Sequence, residues 1–302
     1  MITEKQISEK LGRRIKSPIR IGSVKDLKLD TTSFLSFFKP FFNQLQDDEY
    51  LVRGNQINFL KEAFPQESDT IEQLHKSYFE GTTTIDALNI WTQRLDTHQK
   101  QEFDLISMVT RQRNISSFII EIWDDSFFIE RTEQESFEQD VEDFRVWKRI
   151  FTQATREAVE NELFFSLLKK IAGLVKGIHP EIRKIQITSH FMRTISYQQV
   201  KGENSPEGVH EDGAQYIMSA LVINRQNIVG AESQVYEKRT SGCNEMIYRQ
   251  VLAPGEFIFQ ADTGEEHTFG NDLWHYVTPI EPIDVSQPGI RDIIGFDIDI
   301  LA

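Results

Sequence analysis

The chain has 302 residues, 22 of them Phe, and a formal net charge of −14 at pH 7. Such a surface excludes a polyanionic partner gripped by clustered Lys and Arg, so no nucleic acid is expected. The single cysteine, Cys243, excludes an intrachain disulfide and a Cys-rich zinc site.

Residues 1–16 contain no apolar signal core, and no apolar run reaches membrane-spanning length, so a cytoplasmic protein without a membrane partner is expected. Residues 1–180 read as mainly helical. Phe34, Phe37, Phe38, Phe41, Phe42 and Leu45 follow helical spacing, with Thr31 or Thr32 placed to cap the first turn. Ile71, Leu74 and Tyr78 repeat after an Asp69-x-x-Glu72 start signal, and Ile85, Leu88, Trp91 and Leu95 form another stripe. Phe137, Val141, Phe144 and Phe151 predict a further helix. Residues 114–131 fit either a strand or a buried helix. The strongest helical pattern runs over 155–176, with Phe164, Leu167, Leu168, Ile171, Leu174 and Val175 on one face and Gly177 and Pro180 as the stop.

From about 184 the period changes to two. Strands are predicted over 185–195, 216–224, 233–236, 245–252, 256–260, 273–278 and 290–300, separated by Gly- and Pro-containing turns. Many short strands of this kind imply a sandwich or jelly roll. The fold class is therefore α+β, with a β core over 181–302 and a helical region over 1–180 that supports and covers it.

His210 and Asp212, two residues apart in extended backbone, present an imidazole and a hard anionic oxygen on one face. A second histidine from a distant strand would complete the 2-His-1-carboxylate arrangement of non-haem Fe(II), which leaves positions open for co-substrate and dioxygen. His275, at the end of an apolar strand, is the candidate for that ligand. His267, in a polar segment, is the rival. His75, His98, His179 and His190 lack a carboxylate at ligand spacing and read as surface or packing residues. By itself His-x-Asp is an ordinary polar turn. Arg291 opens the last strand after a Pro-Gly turn; it can grip a carboxylate with two parallel hydrogen bonds or pair with Asp284 or Asp292.

Several segments together are distinctive. Pro206-Glu207-Gly208-Val209-His210-Glu211-Asp212-Gly213 resembles the PEGxHxDG signature of the 2OG-Fe dioxygenase family that contains bacterial L-isoleucine dioxygenase. Val222-Ile223-Asn224-Arg225-Gln226-Asn227 is similar to its VNRxN strand end. Gly230-Ala231-Glu232-Ser233 resembles its GGES, with Ala for the second Gly. His275-Tyr276-Val277-Thr278-Pro279-Ile280 and Gly289-Ile290-Arg291-Asp292 resemble its HxVTPI and GxRD. The resemblance covers about 185–300.

It implies a double-stranded β-helix (jelly-roll) core, with Fe(II) held by His210, Asp212 and His275. It implies 2-oxoglutarate and O2 as co-substrates, with the far carboxylate of 2-oxoglutarate on Arg291 and a hydrogen bond from Thr278. Related halogenases replace the ligand carboxylate with a small residue, so the retained Asp212 implies hydroxylation. The implied substrate is a free L-amino acid, a small molecule, with Arg193 or Arg225 for its carboxylate and Glu207 or Glu232 for its ammonium. Ordinary surface or strand-end ion pairs are at least as strong a reading of each of those four residues. Rival readings are the same chemistry on a carrier- or peptide-bound amino acid, desaturation or cyclisation, a non-catalytic jelly-roll binding protein, and a helical scaffold with a degenerate barrel.

Overall fold

The computed structural model describes residues 1–123, 126–133, 136–137, 149–238, 244–262 and 273–301. Its helices are α1 (Glu4–Leu11), α2 (Thr31–Phe38), α3 (Glu49–Ala63), α4 (Ser68–Phe79), α5 (Asn89–Thr92), α6 (Thr97–Ile106), α7 (Arg156–Val159) and α8 (Glu162–Ile178). Strands β1 (Ile2–Thr3), β2 (Ile19–Ser23), β3 (Arg111–Trp123), β4 (Ser126–Thr132), β5 (Ser136–Phe137) and β6 (Arg149–Ile150) precede the last helix pair. After it come β7 (Lys184–Ser196), β8 (Tyr216–Gln226), β9 (Ile228–Gly230), β10 (Glu232–Lys238) and β11 (Asn244–Val251). The chain closes with β12 (Glu256–Ala261), β13 (Leu273–Val277), β14 (Ile280–Pro282) and β15 (Gly289–Ile300).

Eight strands form the major sheet in the order β1-β2-β12-β8-β15-β7-β3-β4, and β11-β10-β13 form a smaller one. Side-chain alternation divides the major sheet between two layers. Phe257 and Phe259 pack with the apolar face of α8, whereas the intervening Ile258 joins Val235 and Leu273 of the smaller sheet. Ile294 and Phe296 face the helices, and Ile293 faces the other way. This is a jelly-roll core with helices packed on one side. Helices α3 to α6 bury a small core of their own around Ile57, Ile71 and Trp91.

Helix α8 forms because its apolar residues recur on one face and the Asn161 side chain accepts from the backbone N–H groups of Leu163 and Phe164. It continues through Gly177 and stops at His179, just before Pro180. Helix α2 is capped by Asp30, which accepts from Ser33 N at 2.8 Å, and not by Thr31 or Thr32. The ambiguous stretch 114–131 is the hairpin β3–β4. Strand β3 pairs along its length with β7, so the N-terminal half supplies four of the eight strands and the sheet crosses residue 180. Its β-branched and aromatic content decides the matter once β7 and β4 pair with its two backbone edges. The stripe 85–95 breaks into a 3-10 turn (Ile85–Leu88) and the short α5. Of the helix predicted through Phe137 and Phe151, Val141 and Phe144 lie outside the described residues, while Phe137 is in β5.

Phe164 is fully buried, and its ring lies 5.5–6.3 Å from those of Phe38, Phe118, Phe191 and Phe296. It joins α2, α8 and three strands. Phe164→Ala is expected to lower the unfolding free energy by about 3–5 kcal/mol. Urea denaturation checks this; a loss below about 1 kcal/mol would show that the layer does not depend on this ring.

Candidate metal centre and cavity

The loop before β8 meets β13 in an isolated antiparallel bridge. His210 N donates to His275 O at 3.0 Å, and His275 N donates to His210 O at 2.8 Å. The two backbones are locked opposite each other, and their imidazole centroids stand 4.3 Å apart. Gly213, at φ +87°, lets the chain turn immediately after Asp212 and enter β8. The Asp212 carboxylate oxygens lie 3.6 Å from His210 Nε2 and 3.4 Å from His275 Nε2. One ligand atom from each of the three residues falls within 4.8 Å of the others. His210 Nδ1 lies 2.8 Å from Gly208 O, an acceptor, so Nδ1 carries the proton in the neutral ring and Nε2 offers a lone pair to the centre. Two nitrogens and a hard oxygen in this arrangement suit a six-coordinate divalent ion such as Fe(II).

Burial alone would depress the pKa of His210, but Asp212 and then Glu207 outweigh it and push it up to about 9. Burial would raise Asp212, yet His275 and His210 hold its carboxyl well below the ordinary range. The carboxylate is therefore ionised, and the pocket attracts positive charge.

Asp262, at the end of β12, holds the turn and was not apparent from any motif. Its Oδ2 accepts from Asp212 N at 2.8 Å and Gly213 N at 2.9 Å, and its Oδ1 lies 3.9 Å from His275 Nδ1. One buried carboxylate thus steadies two of the three potential ligands.

Arg291 lies in the same cavity of about 530 Å³ as His210, Asp212 and His275. It is 2% exposed. Its Nη1 donates to Asn204 Oδ1 at 3.1 Å, while Nε and Nη2 have no hydrogen-bond partner among the described residues. Burial, with Arg225 nearby, pulls its pKa down to about 9. Neither acid suggested as its partner serves: Asp292 receives Arg193 and Asn224, and Asp284 binds Ser286. The Nε and Nη2 donors of a guanidinium have the geometry to pair with the two oxygens of a carboxylate.

The remaining sequence-predicted residues are placed differently. Thr278 Oγ1 accepts from Glu232 N at 2.9 Å and does not line the cavity; Asn204, which bonds Thr278 O, stands beside Arg291 instead. Arg193 makes two bonds to the fully buried Asp292, on the opposite face of β7 from the cavity-lining Met192. Arg225 Nη2 donates to Gly230 O beside β9, and Glu232 accepts from Gln234, both outside the cavity lining. Glu207 is in the cavity, its Oε1 3.1 Å from His210 Nε2. His75 and His190, read from sequence as surface or packing residues, line the cavity too. His98 is exposed, and His179 bonds Tyr216. His267 lies outside the described residues.

Asp262→Asn keeps the shape but gives up the charge-assisted grip on the turn. Its affinity for a divalent ion should fall about 10–100-fold in an anaerobic Fe(II) titration. Unchanged affinity would mean the bridge alone sets the geometry.

A family model described as 2OG-Fe dioxygenase matches residues 94–297. Among solved structures, IDO from Bacillus thuringiensis superposes with a TM-score of 0.60 at 13% identity, covering 99% of each chain. A bsmA homolog from Methylobium petroleophilum PM1 gives a TM-score of 0.50 at 18% identity, over 63% of this chain and 71% of the other. At such identities these neighbours share the fold alone. No curated protein matches the chain. The matched segment 94–297 takes in every strand from β3 to β14, the imidazole bridge and Arg291, and on that match the chain belongs to the 2OG-Fe dioxygenase family, non-haem iron enzymes that use Fe(II), 2-oxoglutarate and O2.

Proposed function

We propose that the protein hydroxylates an unactivated C–H bond of an L-amino acid or amino-acid-like small molecule. In this reading His210 Nε2, His275 Nε2 and an oxygen of Asp212 hold Fe(II), and Arg291 receives the far carboxylate of 2-oxoglutarate. The observation that carries it is the buried Arg291, with two donors lacking acceptors among the described residues, in one cavity with the three potential ligands. A dicarboxylic keto acid meets both needs at once, one end at the metal and the other at the guanidinium.

When bound, Fe(II) with 2-oxoglutarate and O2 supplies oxidative decarboxylation to succinate and CO2, coupled to oxygen insertion into a C–H bond. The side chains do the rest. Asn204 holds the Arg291 guanidinium by Nη1, which leaves the Nε–Nη2 edge for the co-substrate. Asp262 and the imidazole bridge hold the three ligands in register. Met192, Met218, Val277, Ile293 and Phe296 provide an apolar lining that displaces water from the reacting carbon. Asp212 occupies the position that a small residue would leave open for halide, which favours hydroxylation. The amino-acid class is supported by the Pro206–Gly213 segment and by a cavity of about 530 Å³, within the range of small-molecule sites.

Turnover with Fe(II), 2-oxoglutarate and a panel of free L-amino acids should give succinate and a product heavier by one oxygen. Succinate stimulated only by carrier-bound aminoacyl thioesters would contradict the free-substrate reading. Arg291→Gln should weaken 2-oxoglutarate binding at least about 100-fold, with Arg291→Lys intermediate, because lysine keeps the charge but loses the fork. The visible metal-to-ligand absorption of the anaerobic complex reports this binding; equal affinities would place the far carboxylate elsewhere.

A further inference from the structure

The cavity lining carries a second set of charges that no step above uses. It comes from one face of the major sheet: Arg113 on β3, His190 on β7 and Asp297 on β15. Arg113 Nη2 lies 2.7 Å from His190 Nδ1, and His190 Nε2 lies 3.0 Å from Asp297 Oδ2. A guanidinium only donates, so His190 Nδ1 must accept. The ring proton is therefore on Nε2, donated to Asp297, and the imidazole is neutral. Burial first, then the Arg113 charge, lower the pKa of His190 against the pull of Asp297, in keeping with that state.

The result is a row of cation, neutral ring and anion along the cavity floor. The Arg113 guanidinium is further fixed by stacking, its Cζ 4.6 Å from the Phe151 ring centroid, and the buried Arg149 approaches the same ring at 5.8 Å. Arg149 also lines the cavity. Arg113 and Arg149 therefore bring two cations, and Asp297 an anion, to the lining of one cavity. Arg111 is committed elsewhere, donating to the buried Asp48 at 2.7 Å.

We infer that Arg113, His190 and Asp297 form the head-group site for a zwitterionic α-amino acid. Arg113, with the charge of Arg149 behind it, receives the α-carboxylate. Asp297 receives the α-ammonium. His190 holds the two one imidazole apart, about the spacing that the acceptor and donor of a single α-carbon require. The site replaces Arg193 and Arg225 as the carboxylate anchor. This deepens the amino-acid reading above and rests on it, and it explains why a strand histidine without a metal partner lies in the cavity. Arg113 and Asp297 would touch substrate; His190 is a positioning residue.

The test is anaerobic calorimetry on the Fe(II)·2-oxoglutarate complex, with the proteinogenic L-amino acids and their α-carboxamides as probes. At least one acid should bind, and its amide should bind at least about 100-fold more weakly. Arg113→Gln should weaken the acid at least about 30-fold and leave the amide where it was, so that the preference collapses. His190→Asn should weaken the acid more than its amide, and the native protein's affinity for the acid should show no sigmoidal step in the ordinary histidine range, because the ring stays neutral; a step that His190→Asn removes overturns the positioning role. Equal binding of acid and amide by the native protein overturns the proposal, whether or not the variants fold. So does a preference that survives Arg113→Gln. If 2-oxoglutarate binds but no amino acid does, the head-group site is refuted while the dioxygenase assignment stands. If 2-oxoglutarate itself does not bind, the underlying reading falls as well.

Discussion

The site depends on one backbone contact, the antiparallel bridge between His210 and His275. These residues are far apart in sequence, and a pair of main-chain hydrogen bonds makes them neighbours. Main-chain bonds fix orientation more tightly than side-chain packing, because both residues lose their backbone freedom together. The bridge sets the two imidazoles side by side, tilted 53° to each other, and the turn at Gly213, held by Asp262, brings Asp212 up to both. The jelly roll matters chiefly because it brings the β8 entry loop and β13 together.

Charge is the second theme. The chain as a whole is strongly acidic, yet its cavity is lined by buried arginines. An ionised group out of water is costly unless it is paired. Arg291 has one neutral acceptor and a pKa lowered by burial, and in the proposed function its remaining donors receive the co-substrate carboxylate. Within the cavity the arginines share the lining with the carboxylates of Glu207, Asp212 and Asp297, so charge of both signs is held there. Strand alternation arranges this. Arg113, His190, Arg291 and Asp297 all project from the same face of the major sheet, while the residues between them build the helix-covered core.

Much of the β core was legible, because period-two patterning and turn residues are local signals. Each strand predicted after 184 matches an observed strand to within two residues at either end. The strand β3 was ambiguous because a buried apolar run carries no period; its identity comes from pairing with β7. That pairing also explains why the family match begins at residue 94, well before the motifs at 206–213 and 275–280. The three potential ligands were legible because His210 and Asp212 share a motif and His275 has one of its own. Asp262, Asn204 and Arg113 were not. Each acts through a contact made across strands, with no characteristic neighbours in sequence. The place of His190 in the cavity lining was hidden for the same reason: its partners Arg113 and Asp297 lie 77 and 107 residues away. Arg193 shows the converse, since a strand-end arginine looks available until its buried partner Asp292 is seen.

The most direct measurement is anomalous diffraction at the iron edge from crystals grown anaerobically with Fe(II) and 2-oxoglutarate. The account predicts one strong peak at bonding distance from His210 Nε2, His275 Nε2 and an Asp212 oxygen, with the distal carboxylate of 2-oxoglutarate on Nε and Nη2 of Arg291. Iron bound elsewhere, or a co-substrate whose far end avoids Arg291, would contradict it.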